Sequence, residues 1–526
     1  MALVGSGAPG VFFEVTNETN TFQRARGGTI CVIGITSLGK PYKQRLVTTK
    51  EQYRQYFGDI HPEDDFGFYV QRALQYGALV RVCPVAHWDS VNKVFEGVKA
   101  SATLDDGTHQ LKVEAASVGI GYNDVTITIA DSRTSLGAFD ITEQYKDAEA
   151  KTIKGVVIEQ IDQINTRLEY CYFPTDNLPS NFPKGQVTLQ NGAQDISKIT
   201  DEDFIGKQNI GNGLYAFDGV LDSMRFFNFN RPSIEVDKAF SNYCKSRFDA
   251  TFCIRPTLLD NQYWETIINY RLGNVSTLSS NSYSHAPIDN WLGTMVGGNI
   301  WVTNPNNSFD KKYTISPIAD VAGLTSATDQ DLGEHRAPAG LTNGALLEVT
   351  GIPDGENYGV SAKREFWNQL NLAGINMCIR TADDNTPPRL VFAYYGNESL
   401  SLASADKDPR RKANVSALIV YMMRVLMPMA KRQQFEPNDP IMWNRIYHRG
   451  RPFMQNLVAN RAIFDNWQWL GDQNVSKASD AKYNDASSST YNLKIRIVPI
   501  KATEHINIGL AANDNQSIES ASVTVG

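Results

Sequence analysis

No Cys-x-x-Cys pair occurs in this sequence: Cys31, Cys83, Cys171, Cys244, Cys253 and Cys378 lie far apart. Cys31 in TICVIGI, Cys83 in VRVCPV and Cys378 in INMCIR sit inside apolar, strand-like runs. We read the six as small buried hydrophobes with free thiols, leaving open disulfides formed after release from a cell. The seven histidines (61, 87, 109, 285, 335, 448 and 505) are equally scattered, with no HExxH and no pair at metal-ligand spacing. A GxxxxGK(S/T) phosphate loop and a GxSxG nucleophile elbow are missing too. These gaps remove the usual signatures of nucleotide hydrolysis, zinc catalysis and serine hydrolysis, so the expectation is a non-enzyme with no catalytic residue, cofactor or metal. Positive charge is also short: 50 Lys and Arg face 57 Asp and Glu, a net charge of −7. A nucleic-acid binder usually carries the opposite excess, so no nucleic-acid partner is expected. No apolar run has the length of a bilayer span, and no basic n-region precedes an apolar h-region at the N-terminus. The expectation is a protein without a membrane span, made and assembled in a cytoplasm.

What is present reads as alternating α/β structure. At 526 residues the chain is too long for one core, so two to four domains are expected. GGTICVIGITSLGK is a buried strand, KEQYRQYFG and DDFGFYVQRALQYGA are helices, and LVRVCPV is the next strand. The texture changes near residue 88. VFEGVKASATLDDGTHQLKVEAA is a hairpin about an Asp-Gly turn, and VTITIAD alternates with Val125, Ile127 and Ile129 on one face. The all-β pattern continues to about residue 205. Then SIEVDKAFSNYCKSR reads as a helix opened by Ser233, with Glu235 and Asp237 in its first turn, and DATFCIRP as the following strand. Residues 273–345, rich in Gly, Pro, Asn and Ser, read as loop-heavy. REFWNQLNLAGINMCIR gives a helix, a stop at Gly374 and a strand. Two long helices follow; Pro428 should bend or end the first, and Asp439 with Pro440 should open the second.

Three features carry possible chemistry. GSGAPG (Gly5, Gly7, Gly10) fits GxGxxG, but it precedes a strand instead of following one, so it reads as a Gly-rich leader. KITDEDF (residues 198–204) clusters acids without the glycine and glutamate of a calcium loop. Residues 409–432 hold Arg410, Arg411, Lys412, Arg424, Lys431 and Arg432 and no acid. Such a run is either a solvated face or a docking face for an acidic protein.

Taken in order, several stretches resemble contractile tail sheath proteins. PGVFFEV (residues 9–15) with the strand, helix and LVRVCPV after it is similar to that family's opening. ASVGIGYNDVTITIADS resembles a segment of its outer domain, and TISPIADVAGLTSATDQDLGEHRAPAG its Pro, Ala-Gly and Pro-Ala signature. LNLAGINMCIR, VSALIVYMMRVL and QFEPNDPIMWNRI resemble its C-terminal domain. The likeness covers nearly the whole chain, least well over 330–365 and after Phe464.

The resemblance implies an α/β plus β fold class: a multidomain α/β tail-sheath core with an inserted β-sandwich-like domain and extended N- and C-terminal arm strands. The implied layout is an N-terminal arm (1–20), the core (21–90 and 206–345), an inserted β-rich outer domain (91–205), a C-terminal domain facing the tube (346–510) and a C-terminal arm (511–526). Arm strands around Val11, Phe12, Phe13 and Val15, and around Val523 and Val525, would leave their own subunit. They would complete a sheet in a neighbour, whose receiving strands 493–500 and 505–510 hold Leu493, Ile495, Ile497, Val498, Ile506 and Ile508. Arg410, Arg411, Lys412, Arg424, Lys431 and Arg432 are the tube-facing candidates. The implied partners are copies of the chain stacked in rings, a tail tube protein, and baseplate and tail terminator proteins. The implied setting is a phage virion assembled in the host bacterial cytoplasm, or alternatively a capsid-less, bacteriocin-like injection particle. An α/β enzyme with an appended β-sandwich is the reading from another class.

Overall fold

The computed structural model describes residues 27–504, apart from 90–93, 221, 223, 258–263, 274–284, 354–356, 358–362, 383–388, 405–407, 471–490 and 492. Both arms, the GSGAPG leader, Ile506 and Ile508 lie outside the described residues.

Strands buried on both faces read as unbroken apolar runs, and such strands build parallel sheets. In TICVIG, Thr29–Gly34, all six residues are buried. It is the second of six parallel strands, ordered Leu79–Pro84, Thr29–Gly34, Met224–Phe227, Ala250–Ile254, Gly293–Gly297, Ile375–Ala382. Arg45–Val47 and Leu390–Tyr395 close the two edges antiparallel. Both faces are covered. Phe240 and Tyr243 from helix Ile234–Arg247, Ile267 from Trp264–Leu272 and Leu370 from Arg364–Leu372 fill one side. Phe57 from Lys50–Phe57, Tyr69 and Val70 from Phe66–Leu74, and Ile318 and Ala322 from Ile318–Asp331 fill the other. The helix signals act as the sequence proposed: the Ser233 side chain accepts from the Val236 amide, and Gly58 and Gly374 stop their helices at φ of 78° and 72°. All six cysteines are buried and unpaired.

Two expectations need adjustment. The region 273–345 is loop-rich as expected, but it also carries elements that the sequence did not mark. It supplies a central strand, two strands of a small three-stranded sheet (Ile300–Val302 in the middle and Tyr313–Ile315), and the 14-residue helix Ile318–Asp331. That helix has no solvent stripe to give it a helical period, because Ala319, Asp320, Val321, Ala322, Gly323 and Ser326 are all buried. Second, helix Ala413–Lys431 is long and apolar enough by composition to cross a membrane, which the search for apolar runs did not anticipate. Its inward apolar positions are covered by protein: Val420 joins the core under the main sheet, while Leu418 and Met422 join a separate C-terminal cluster with Met442, Trp443 and Ile446 of helix Pro440–Ala459. Pro428 falls in its last turn, and the helix runs three residues past it.

Residues 98–193 form the β insertion. A four-stranded antiparallel sheet (Val125–Asp131, Phe139–Tyr145, Lys151–Val156, Gly185–Thr188) faces a three-stranded one (Ser101–Asp105, Gln110–Ala115, Cys171–Tyr172). Alternate residues Val125, Ile127 and Ile129 point into the shared core with Leu111, Val113 and Ile141. The two ends of the insertion pair with each other, Val98 with Ala193 (N–H to O 2.8 and 2.9 Å). The main sheet, meanwhile, takes its last two strands from beyond residue 346, so the α/β body extends to Tyr395.

Asp237 marks a cost the fold carries. Its carboxylate is fully buried, accepting from Tyr270 Oη (2.7 Å) and Asn228 Nδ2 (2.8 Å), and burial raises its pKa to about 7. With the folded pKa above the unfolded value near 3.8, stability is greatest below that value and falls as pH rises through about 7. The expected result is that Asp237→Asn flattens this fall between pH 4 and 7, read as the difference between mutant and wild-type thermal melts.

Candidate assembly interface

The basic run divides by what each side chain touches. Arg411 is only 7% exposed and fully engaged: Nε meets Glu398 Oε2 at 2.7 Å, and Nη2 caps helix Arg364–Leu372 through the carbonyls of Asn371 and Leu372, both 2.8 Å. Lys412, 13% exposed, sits between Glu398 and Glu504. Arg424, 7% exposed, pairs with Glu334. Three of the six candidates for a tube-facing surface are therefore neutralised inside the subunit. The acids that meet them lie 13 to 92 residues away, so an acid-free run in sequence does not make an acid-free surface. Arg410 is 45% exposed, bidentate on Asp408 and stacked over Trp291. Lys431 and Arg432 are exposed.

The outward positive charge sits on the next helix. Pro440–Ala459 begins at Asp439, whose carboxylate accepts from the Met442 amide (2.8 Å), with Pro440 at the first helical position. Its exposed side carries Arg445, His448 and Arg451, with Arg449 half-buried, and Arg461 follows. The stretch 440–461 also lacks any acid, so the same sequence signal could have found it. The turn joining the two helices presents Phe435, 99% exposed at φ 72°, and the first turn of the second helix presents Ile441, 68% exposed.

Of the receiving strands, Lys494–Arg496 is paired antiparallel with Gln468–Leu470, Trp469 opposite Ile495, and the ladder continues through Phe464 N–H to Val498 O (2.9 Å) and Ile500 N–H to Ala462 O (3.0 Å). The partner expected at 505–510 lies outside the described residues. The observed partner comes from the stretch after Phe464, where the Trp467–Trp469 alternation was its only signal. A two-stranded sheet is marginal alone. This one rests Leu493, Ile495 and Ile497 on the cluster beneath helix Pro440–Ala459, while Lys494, Arg496 and Val498 face out. Gly450 makes the approach possible, since a Cβ there would lie 2.3 Å from the Trp469 ring.

Doubly wound sheets hold cofactors where strand order reverses, outside the carboxyl ends of the strands. That point lies here between Thr29–Gly34 and Met224–Phe227, and it is filled. The Phe66 ring lies over Gly34, Thr36 and Ser37 are buried, and the insertion seats on the Ser37 carbonyl through the Gly121 amide (2.9 Å). Among the described residues no three His, Cys, Asp or Glu side chains cluster as metal ligands. In KITDEDF, Asp203 meets His87 Nδ1 (2.9 Å) and Asp201 meets Arg231.

These parts define a class: a doubly wound α/β body with a β insertion at its carboxyl edge and a helical module carrying a small two-stranded sheet. This is the fold of contractile sheath proteins. The sheath tail protein of Listeria innocua superposes with a TM-score of 0.58 at 13% identity, over 91% of this chain and 97% of that one. One from Desulfitobacterium hafniense gives 0.51 at 14% identity over 88% and 93%. The contracted helical sheath of the anti-feeding prophage gives 0.51 at 13% over 97% and 100%. No family model and no curated protein matches the chain.

Removing one partner of a buried ion pair costs about 3–5 kcal/mol, while exposed pairs are worth about 0–1 kcal/mol. Arg411→Ala should therefore destabilise the chain by several kcal/mol and Arg410→Ala by less than about 1 kcal/mol, both read from urea unfolding midpoints.

Proposed function

We propose that this chain is the structural subunit of a contractile sheath, polymerising around an inner tube in a metastable extended state and contracting to drive the tube through a cell envelope. The observation that carries the reading is the length of the fold match: both the α/β body and the C-terminal module align, over 97% of this chain with a sheath in its contracted state. Residues 1–20 and 511–526 act as arms that add strands to neighbours. Their docking edge is the small sheet containing Lys494–Arg496, where backbone hydrogen bonds give strength and alternate side chains set register. Residues 505–510 would widen that platform.

No catalytic step is needed. Subunits assemble in one packing and relax to another that buries more surface between neighbours, so the work is stored at assembly as a difference between two packings of one polymer. The β insertion, 91–205 in the proposed layout, forms the outer layer. The tube-facing side is the C-terminal module. Its available cations are Lys431, Arg432 and Arg451, which suit an acidic tube protein, and baseplate and terminator proteins meet the two ends of the polymer. The setting is a phage virion assembled in the host cytoplasm. A second reading, a capsid-less injection particle, is favoured by the fold match to the anti-feeding prophage sheath.

Negative-stain microscopy of concentrated protein should show hollow tubes; compact monomers would sink the proposal. Deleting residues 1–20 should leave a folded chain that no longer forms them. Lys431→Glu with Arg432→Glu and Arg451→Glu should cut co-sedimentation with the tube protein about tenfold at moderate salt, at an unchanged melting temperature.

A further inference from the structure

A bulky residue at positive φ crowds its Cβ against the backbone, so it persists only where its surroundings hold it there. Phe435, in the turn between helices Ala413–Lys431 and Pro440–Ala459, has φ 72° with its side chain in solvent. The chain on both sides of it is tied down. Before it, the Gln433 amide donates to the Ala430 carbonyl (3.0 Å), and the buried Gln433 side chain accepts from Arg445 Nη1 (3.3 Å). After it, the Glu436 amide donates back to the Gln433 carbonyl (3.2 Å), the Asp439 amide donates to the Pro437 carbonyl (3.0 Å), and Asn438 Oδ1 accepts from Trp443 Nε1 (2.7 Å). Arg445 and Trp443 both belong to helix Pro440–Ala459, so that helix clamps the turn in front of it.

A single exposed apolar side chain needs no explanation. An exposed ring on a strained, clamped backbone does, because the subunit bears the strain and gains no packing from the ring. The gain lies outside the subunit, and a rigid aromatic held ready on a surface is what a binding hot spot requires. The charge around the ring is positive. Lys431 and Arg432 are exposed three and four residues before it and enter no ion pair among the described residues, whereas Arg410, Arg411, Lys412 and Arg424 each meet a carboxylate. The acids of the turn are already engaged: Glu436 lies 3.8 Å from Arg445, and Asp439 accepts from the Met442 amide (2.8 Å).

We propose that Phe435 is the apolar anchor of the contact with the inner tube, entering an apolar socket rimmed by carboxylates on the tube protein, with Lys431 and Arg432 pairing to that rim. The proposal rests on the sheath reading, which turns the C-terminal module toward the tube, and it names the side chain on which that contact centres. The two kinds of group do different work. Exposed cations steer the approach and fix register, and salt screens them. The desolvated ring slows release and is indifferent to salt.

Asparagine tolerates positive φ, so Phe435→Asn removes the ring and relieves the strain together. This variant of the full chain should melt at or above the wild-type temperature and form the same hollow tubes by itself. It should bind the tube protein about tenfold more weakly, with the loss undiminished at high salt. All six native thiols are buried, so Phe435→Cys can be labelled selectively with an environment-sensitive fluorophore. Its emission should shift to the blue on adding tube protein, but not during self-assembly or on adding phosphatidylcholine–phosphatidylglycerol vesicles. Undiminished binding by Phe435→Asn overturns the anchor and leaves the sheath reading standing. A melting temperature below wild type returns the ring to the fold and overturns it too. So does a blue shift on self-assembly or on vesicles, or a loss of hollow tubes in Phe435→Asn, since each gives the ring a different partner. A wild-type chain that does not bind the tube protein at all removes the tube-facing reading, and the anchor with it.

Discussion

One short segment organises the buried charge of this molecule. Between Ile318 and Glu334 the chain carries Asp320, Asp329 and Glu334, and each receives an arginine from a different part of the fold: Arg72 of helix Phe66–Leu74, Arg225 of the central sheet, and Arg424 of the first long C-terminal helix. A guanidinium taken out of water without a carboxylate or carbonyl is expensive, so the three elements close together on this segment or not at all. Such pairs add little net stability against apolar replacements, but they penalise every mispacking that leaves one partner alone. Arg271 shows the limit of the rule. Fully buried, donating to the Leu400 carbonyl, and close to Arg411, it has its pKa lowered to about 10 by desolvation.

The consequence runs from packing to assembly. Because these pairs tie helix Ile318–Asp331 to the sheet and helix Ala413–Lys431 to both, the α/β body and the C-terminal module share a charged seam as well as apolar contact. Helix Ala413–Lys431 contributes Val420 to one core and Leu418 and Met422 to another. A subunit joined in this way moves as one piece. The proposed sheath would need this if its rearrangement is to happen between subunits and not within them.

Local signals in the sequence located what depends on neighbours in the chain. Ser233, Gly58, Gly374 and the Asp439–Pro440 pair each ended or opened a helix where the rules of capping put them. Unbroken apolar runs such as TICVIG marked the parallel strands. What escaped was set by partners far off. Helix Ile318–Asp331 is buried on nearly every side and so has no amphipathic period. Strand Gln468–Leu470 is three residues long in a polar stretch. The run of cations at 410–424 looked like a surface because its counter-charges, Glu334, Glu398 and Glu504, lie elsewhere in the chain. Composition counts charges, and only the fold says which of them have been used.

The insertion enters and leaves the body at one place. Its ends, Val98 and Ala193, are hydrogen-bonded across a single strand spacing, about 5 Å. A module with entry and exit that close is a plug on a two-pin socket. Any foreign domain whose termini are equally near each other fits the same gap without stretching the host sheet, which makes this position a natural site for grafting cargo or labels onto the scaffold.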